Sequence, residues 1–169
     1  KLNCVVHAQT PEAELARLLG YTLASGFILR LIETMPMGSS GQQFQPANLT
    51  LMGARLAERF GLVPALDTSD SGPARYWTAG DDLHALGVIT PMSRHFCATC
   101  NRVRLSVDGT LYLCLGQENQ VPLGRLMRQG ADDDELIGHI LAGIAAKPER
   151  HEFDTAPRRI VRFMSQTGG

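Results

Sequence analysis

Three of the chain's four cysteines, Cys97, Cys100 and Cys114, fall within 18 residues and enclose an alternating segment with Asp108-Gly109 at its middle. Asp-Gly between alternating runs is a hairpin signal. The two-residue gap between Cys97 and Cys100 lets both sulfurs reach one centre, and Cys114 supplies a third thiol thirteen residues further on. A chain folded this way brings the start and the end of one hairpin to a common point. The opening KLNCVVHAQ has neither a basic segment leading into an apolar one nor a small-residue cleavage site, so it does not read as a secretory signal. It also opens without Met and runs straight into a strand pattern, so the expectation is a sequence that begins within a longer protein. In a chain without an export signal, clustered cysteines lean towards metal rather than disulfide.

Spacing alone leaves the metal open. A closed zinc site takes four ligands, and the local fourth is missing. His95 lies only two residues before Cys97, an awkward spacing for a shared tetrahedron, and Cys4 is remote in sequence. A 4Fe–4S cluster held by three cysteines would leave one iron open. Free or redox thiols are the third reading.

The register of the hairpin decides what surrounds the thiols. Arg102, Arg104 and Ser106 alternate with Val103, Leu105 and Val107, and Thr110, Tyr112 and Cys114 with Leu111, Leu113 and Leu115. A two-residue turn at 108–109 would set Cys114 opposite Val103. A three-residue loop, 107–109, with Gly109 left-handed, sets Cys114 opposite Arg102 and Tyr112 opposite Arg104. The second register is expected, because it alone puts the third thiolate beside two arginines. Two arginines on one face suit an anion of high charge. The plain alternative is a solvated strand face.

Elsewhere the chain reads as alternating strands and helices. Residues 1–6 form a strand with Lys1, Asn3 and Val5 on one face. Thr10 is expected to cap a helix that begins at Pro11 and buries Leu15, Leu18, Leu19 and Leu23. Residues 27–32 form a second strand, so the first 32 residues make a βαβ unit with a parallel pair. Arg30 interrupts that strand. A buried Arg must be paired, with Glu33, another carboxylate or a phosphate. Residues 36–47 and 67–73 read as loops. Thr50 is expected to cap a helix that packs through Leu51, Ala54, Leu56, Ala57 and Phe60 and stops at Gly61. Short strands follow from Arg75 to Leu115. Helices are expected over 121–129 and 133–146, the second burying Leu136, Ile137, Ile140, Leu141 and Ile144.

Sixteen Lys+Arg against seventeen Asp+Glu give a formal net charge of −1, which excludes nucleic-acid binding through bulk positive charge. Hydrophobic residues are 44% of the chain, enough for a core. No apolar run approaches 18 residues, so no membrane span is expected.

The run Gly87-Val-Ile-Thr-Pro-Met-Ser93, Phe96-Cys97-x-x-Cys100-Asn-Arg102-x-Arg104-Leu-Ser, Asp108-Gly-x-Leu and Cys114-Leu resembles the C-terminal cluster domain of the radical-SAM GTP 3′,8-cyclases, the molybdenum cofactor biosynthesis protein A family. Lys1-x-Asn3-x-Val-Val and Arg30-Leu-Ile-Glu33-x-Met35-Pro36-Met-Gly resemble late strands of that family's barrel. Gly72-Pro-Ala-Arg75-Tyr-Trp77 and the terminal Met-Ser-x-x-Gly168-Gly169 also match. Gly116 stands where an aromatic is commoner in the family, and Thr167 where a bulkier aliphatic is usual.

The resemblance implies an α/β fold, with late βα units of an incomplete radical-SAM (β/α)6 barrel over 1–49 and a small α+β iron–sulfur and GTP-binding domain with an antiparallel hairpin over 50–169. It implies a second, substrate-binding 4Fe–4S cluster on Cys97, Cys100 and Cys114, whose open iron contacts the guanine base of GTP. By motif, Lys1, Arg30, Arg102, Val103 and Arg104 bind GTP, Met35 touches S-adenosylmethionine through its backbone, and Gly168 and Gly169 form a tail that enters the active site. The implied whole enzyme is cytoplasmic, converts GTP to (8S)-3′,8-cyclo-7,8-dihydroguanosine 5′-triphosphate, and feeds cyclic pyranopterin monophosphate synthase. The Cys-x3-Cys-x2-Cys motif that cleaves S-adenosylmethionine is absent from these 169 residues, so inactivity of this chain alone is expected. Exposed sheet edges invite self-association, so a homodimer is a further expectation. Two rival readings are a zinc-binding interaction module and a sulfur carrier activated at Gly-Gly.

Overall fold

β1 (Leu2–Val6) turns Leu2, Cys4 and Val6 inward and leaves Asn3 and Val5 exposed, as the alternation predicts. The structure, a computed structural model, describes residues 1–66, 72–80, 83–153, 162 and 164–167. It divides into one unit of Lys1–Met35 and Phe44–His95 and another of Pro36–Gln43 and Phe96–Gly169.

In the first unit α1 (Glu12–Ala24) links β1 to β2 (Leu29–Glu33), and the two strands pair in parallel. Thr10 is not the helix cap. Its hydroxyl accepts the His7 N–H at 3.1 Å, and Pro11 stands at the N-cap. The helix ends at Ser25, with Gly26 left-handed at φ 69°. Thr22 joins Leu15, Ala16 and Leu19 in the buried stripe, its hydroxyl satisfied by the Leu19 carbonyl.

α3 (Leu49–Arg59) is capped by Asn48, whose Oδ1 accepts the Leu51 N–H, and not by Thr50. The buried face is therefore Leu49, Gly53, Leu56 and Ala57, while Leu51 and Ala54 face out. Gly61 ends the helix as expected, left-handed at φ 64°. β3 (Val63–Pro64), β4 (Ala74–Thr78) and β5 (His84–Ile89) complete a five-stranded sheet in the order β1-β2-β5-β4-β3. β5 runs parallel to β2 and antiparallel to β4, so the sheet is mixed. α1 and α3 pack against β2 and β5 over a core that includes Leu19, Leu29, Leu31, Leu56 and Leu86. The loop expected at 67–73 lies mostly outside the described residues.

The second unit includes a short helix, α2 (Gly38–Gln43), where a loop is expected over 36–47. Gly38, left-handed at φ 61°, starts it, and Met37 is buried. β6 (Arg104–Leu105), β7 (Leu111–Tyr112) and β8 (Gln120–Val121) form an antiparallel sheet. α4 (Leu123–Arg128) and α5 (Asp133–Ala145) follow. A capping box between Asp132 and Glu135 starts α5, which places helix onset where the acidic run indicates. Leu111, Leu113 and Val121 form the core with Leu123, Leu126 and Ile140. Gly143 is the fully inward residue of α5, because a Cβ there would lie 2.6 Å from Val121. The helix therefore packs on its glycine, and Ile137, Leu141 and Ile144 are exposed rather than buried.

Among the described residues, no helix is long and apolar enough to cross a membrane.

Candidate metal and anion site

The two units each carry part of the expected site.

In the second unit, Cys97 opens a single 3-10 turn, Cys97–Thr99, and the Cys100 N–H donates to the Cys97 carbonyl at 3.1 Å. The turn converts the two-residue spacing into two thiols at one end of the hairpin. The hairpin takes the three-residue loop: Arg104 pairs with Tyr112 and Leu105 with Leu111. Gly109 is left-handed at φ 81°. The Ser106 hydroxyl accepts the Thr110 N–H, and Asp108 accepts from both hydroxyls of Ser106 and Thr110. These hydrogen bonds hold the Asp108 carboxyl below its ordinary value.

All three thiols are half-buried and free. Burial pushes the Cys114 thiol up, Cys97 and Cys100 push it further, and Lys147 and a backbone hydrogen bond from Gly116 oppose them. Three half-buried thiols at one end of a hairpin are a donor set for a soft or borderline metal centre. That set fits a cluster held by three cysteines. Cys4 belongs to the first unit, where it packs against the core.

The cation beside the thiols, Lys147, carries no motif that would single it out. Lys147, directly after the C-cap of α5, places Nζ 2.9 Å from the Arg102 carbonyl, 2.8 Å from the Leu113 carbonyl and 3.8 Å from Cys100 Sγ. It thus grips the strand that follows Cys100 and the one that precedes Cys114.

Arg162 is a second unforeseen residue. It is 9% exposed, its guanidinium lies over the Tyr112 ring at 4.4 Å, and it donates to the carbonyls of Cys114, Leu115 and Gln117. Glu118 balances its charge at 2.6 Å. The segment after the third cysteine is therefore held from one side by a single buried cation. Gly116 in that segment has no room for the aromatic usual in the resembled family. A Cβ would lie 2.6 Å from His151 Cβ and 2.9 Å from the buried Phe153 ring.

The arginine face is not a solvated one. Arg102 and Arg104 are half-buried, whereas Val103, Leu105 and Val107 on the apolar face are exposed. The Arg102 guanidinium stands 5.5 Å from the Phe96 ring centre, and Arg104 Nη1 donates to the Thr167 carbonyl at 3.4 Å. Gly168 and Gly169 lie outside the described residues.

In the first unit, Lys1 is exposed one residue before β1 and Met35 is half-buried after β2. Arg30 does not pair with Glu33. Strand alternation sends those two side chains to opposite faces. Arg30 Nε donates instead to Asn3 Oδ1 at 2.8 Å, its direct neighbour across the parallel pair. The row continues through Gly87 to Tyr76. Gly87 is required there, since a Cβ would lie 2.7 Å from the Tyr76 ring and 3.2 Å from Arg30 Cγ. Tyr76 in turn stacks on His84 at 4.2 Å. Glu33, 1% exposed, accepts the N–H groups of Met92 and Ser93 at 2.8 and 3.0 Å.

Residues 27–153 match the family model described as Molybdenum Cofactor Synthesis C. The chain is 40% identical over 176 residues to a GTP 3',8-cyclase of Paracoccus denitrificans, with 100% of this chain and 51% of the relative aligned. It is 40% identical to a GTP 3',8-cyclase 2 of Pseudomonas aeruginosa, of which it covers 52%, and 39% identical to a GTP 3',8-cyclase of Caulobacter vibrioides, of which it covers 49%. The chain spans about half the length of the curated relatives it matches.

Proposed function

Because the chain belongs to the molybdenum cofactor synthesis C family, we propose that it is the C-terminal portion of a GTP 3′,8-cyclase, the part that holds GTP during its conversion to (8S)-3′,8-cyclo-7,8-dihydroguanosine 5′-triphosphate. The observation that carries this reading is the set of three half-buried thiols at one end of an arginine-bearing hairpin, with Lys147 Nζ beside Cys100 Sγ. Cys97, Cys100 and Cys114 would hold a 4Fe–4S cluster. Bound there, the cluster would supply one iron without a thiolate, open to the guanine base.

The reaction takes hydrogen from C3′ of GTP and joins C3′ to C8, so its demand is geometric. In this reading Arg102 and Arg104 grip the triphosphate beside the base, with Val103 between them. Arg30, oriented by Asn3, and Lys1 supply further positive charge on a second face. S-adenosylmethionine and the motif that cleaves it belong to protein beyond this chain, and Met35 touches that cofactor through its backbone. Residues 1–49 are then the late βα units of a radical-SAM barrel and 50–169 the substrate domain. The chain alone is inactive, the working enzyme is a cytoplasmic homodimer, and its product passes to cyclic pyranopterin monophosphate synthase.

Anaerobic reconstitution with iron and sulfide tests this directly. Wild type and Cys4→Ala should take up a cluster, and Cys114→Ala should not. GTP should perturb the cluster's spectrum. Stoichiometric zinc in place of iron would favour the zinc-binding interaction module and overturn the reading.

A further inference from the structure

We propose that Lys147 is a positioning residue of the three-cysteine site, which fastens together the two strands that deliver Cys100 and Cys114 and holds its ammonium against the cluster they would bind. The inference rests on the iron–sulfur reading above and adds a residue to it.

The ammonium has three donors. Two are used by the carbonyls of Arg102 and Leu113, at 2.9 and 2.8 Å, and the third faces Cys100 Sγ at 3.8 Å. Lys147 is itself fixed at its base. Its N–H donates to the Ile144 carbonyl at 3.1 Å, and Pro148 follows at once. The capping box at Asp132 and the packing of Gly143 on Val121 anchor the helix that carries it. A long, mobile side chain has thus been given one geometry, between the second and third thiols.

The charge has a use at that spot. A cluster held by three thiolates gains negative charge on reduction, and a fixed cation stabilises the more negative form. Arg102 lies over Phe96 and Arg104 reaches Thr167, and neither of these contacts is to a thiol. Lys147 is the cation whose Nζ is placed at a ligand sulfur.

The test is redox titration of the reconstituted chain, with cluster retention against a chelator as second readout. Lys147→Gln keeps two N–H donors for the carbonyls but removes the charge. It should load iron and fall in midpoint potential by the equivalent of about a tenfold change in the reduced-to-oxidised ratio, about 59 mV for one electron. Lys147→Met removes charge and tie, so it should show the same fall and lose its cluster several-fold faster. Lys147→Arg should return the potential towards wild type. Wild-type potential in loaded Lys147→Gln would overturn the proposal and leave Lys147 a structural tie. If Lys147→Met does not fold, Lys147→Gln alone decides. Failure of the wild-type chain to load iron would instead sink the iron–sulfur reading.

Discussion

Arg30 Nε donates to Asn3 Oδ1 across the first parallel strand pair, while Glu33, the carboxylate nearest in sequence, points to the other face and serves two backbone N–H groups. A neutral partner orients the guanidinium without neutralising it. The cation remains available to an anion in a way that a carboxylate partner would not allow.

Asn3→Ala should therefore cost GTP binding less than Arg30→Ala does. Loss of one neutral-partner hydrogen bond is worth about 0.5–1.5 kcal/mol, which is about 2- to 13-fold in affinity. Arg30→Ala should lie beyond that range. GTP titration of the full-length enzyme carrying each substitution checks the order, and equal losses would contradict the orienting role.

Arg102→Ala and Arg104→Ala should weaken GTP by about 10- to 150-fold each, the worth of charge-assisted hydrogen bonds of about 1.5–3 kcal/mol. Guanosine should be affected less, because the lost contact is to phosphate. Lysine at either position should rescue only in part, as a point charge does not reproduce a planar fork. Iron content should hold steady. Equal weakening of GTP and guanosine would remove these arginines from the phosphate site.

Glu33→Ala should destabilise the first unit by about 1–3 kcal/mol, since it removes the buried carboxylate that accepts the part-buried Met92 and Ser93 N–H groups. Glu33→Gln keeps an acceptor oxygen and should cost less. Thermal unfolding of both variants gives the comparison.

Asp108 carries a pH signature. Its carboxyl is depressed below 3.8 by the Ser106 and Thr110 hydroxyls. A depressed folded value means that the contribution is whole above the ordinary Asp range and fades as pH falls through the lower folded value. Asp108→Asn should thus lower the neutral plateau of stability and flatten the acid limb below about pH 4, so that the two proteins converge as pH falls. Melting temperature against pH, in both proteins, reads it out.

The local patterns were legible in the residues. The hairpin register follows from Asp108-Gly109 and from the alternation that sets Cys114 by the arginines, and Arg104 does pair with Tyr112. The βαβ start followed from two apolar strands around one amphipathic helix. Caps were less legible, because Asn48 and Thr50 are both good cap residues and only the fold decides between them. The inward face of α5 was misjudged because volume, not hydrophobicity, decides it: Val121 leaves room only for Gly143. Lys147 and Arg162 were invisible for another reason. Each acts on backbone carbonyls 34 or more residues away, and a carbonyl leaves no mark on sequence.

The mixed sheet of the first unit also has a history written into it. β2 meets β1 through a short crossover, as in the pair Asn3 and Arg30, 27 positions apart. On its other edge it meets β5 through Ile32 and Ile89, separated by 57 positions. That doubling adds only about 0.6 kcal/mol of loop-closure entropy, so it hardly touches final stability. It governs order instead, because distant pairings form late. The strand that carries Arg30 should zip to β1 while its other edge is still open, and the arrival of β5, already paired with β4 so that Gly87 brings Tyr76 with it, should be the later event that sets the pace of folding.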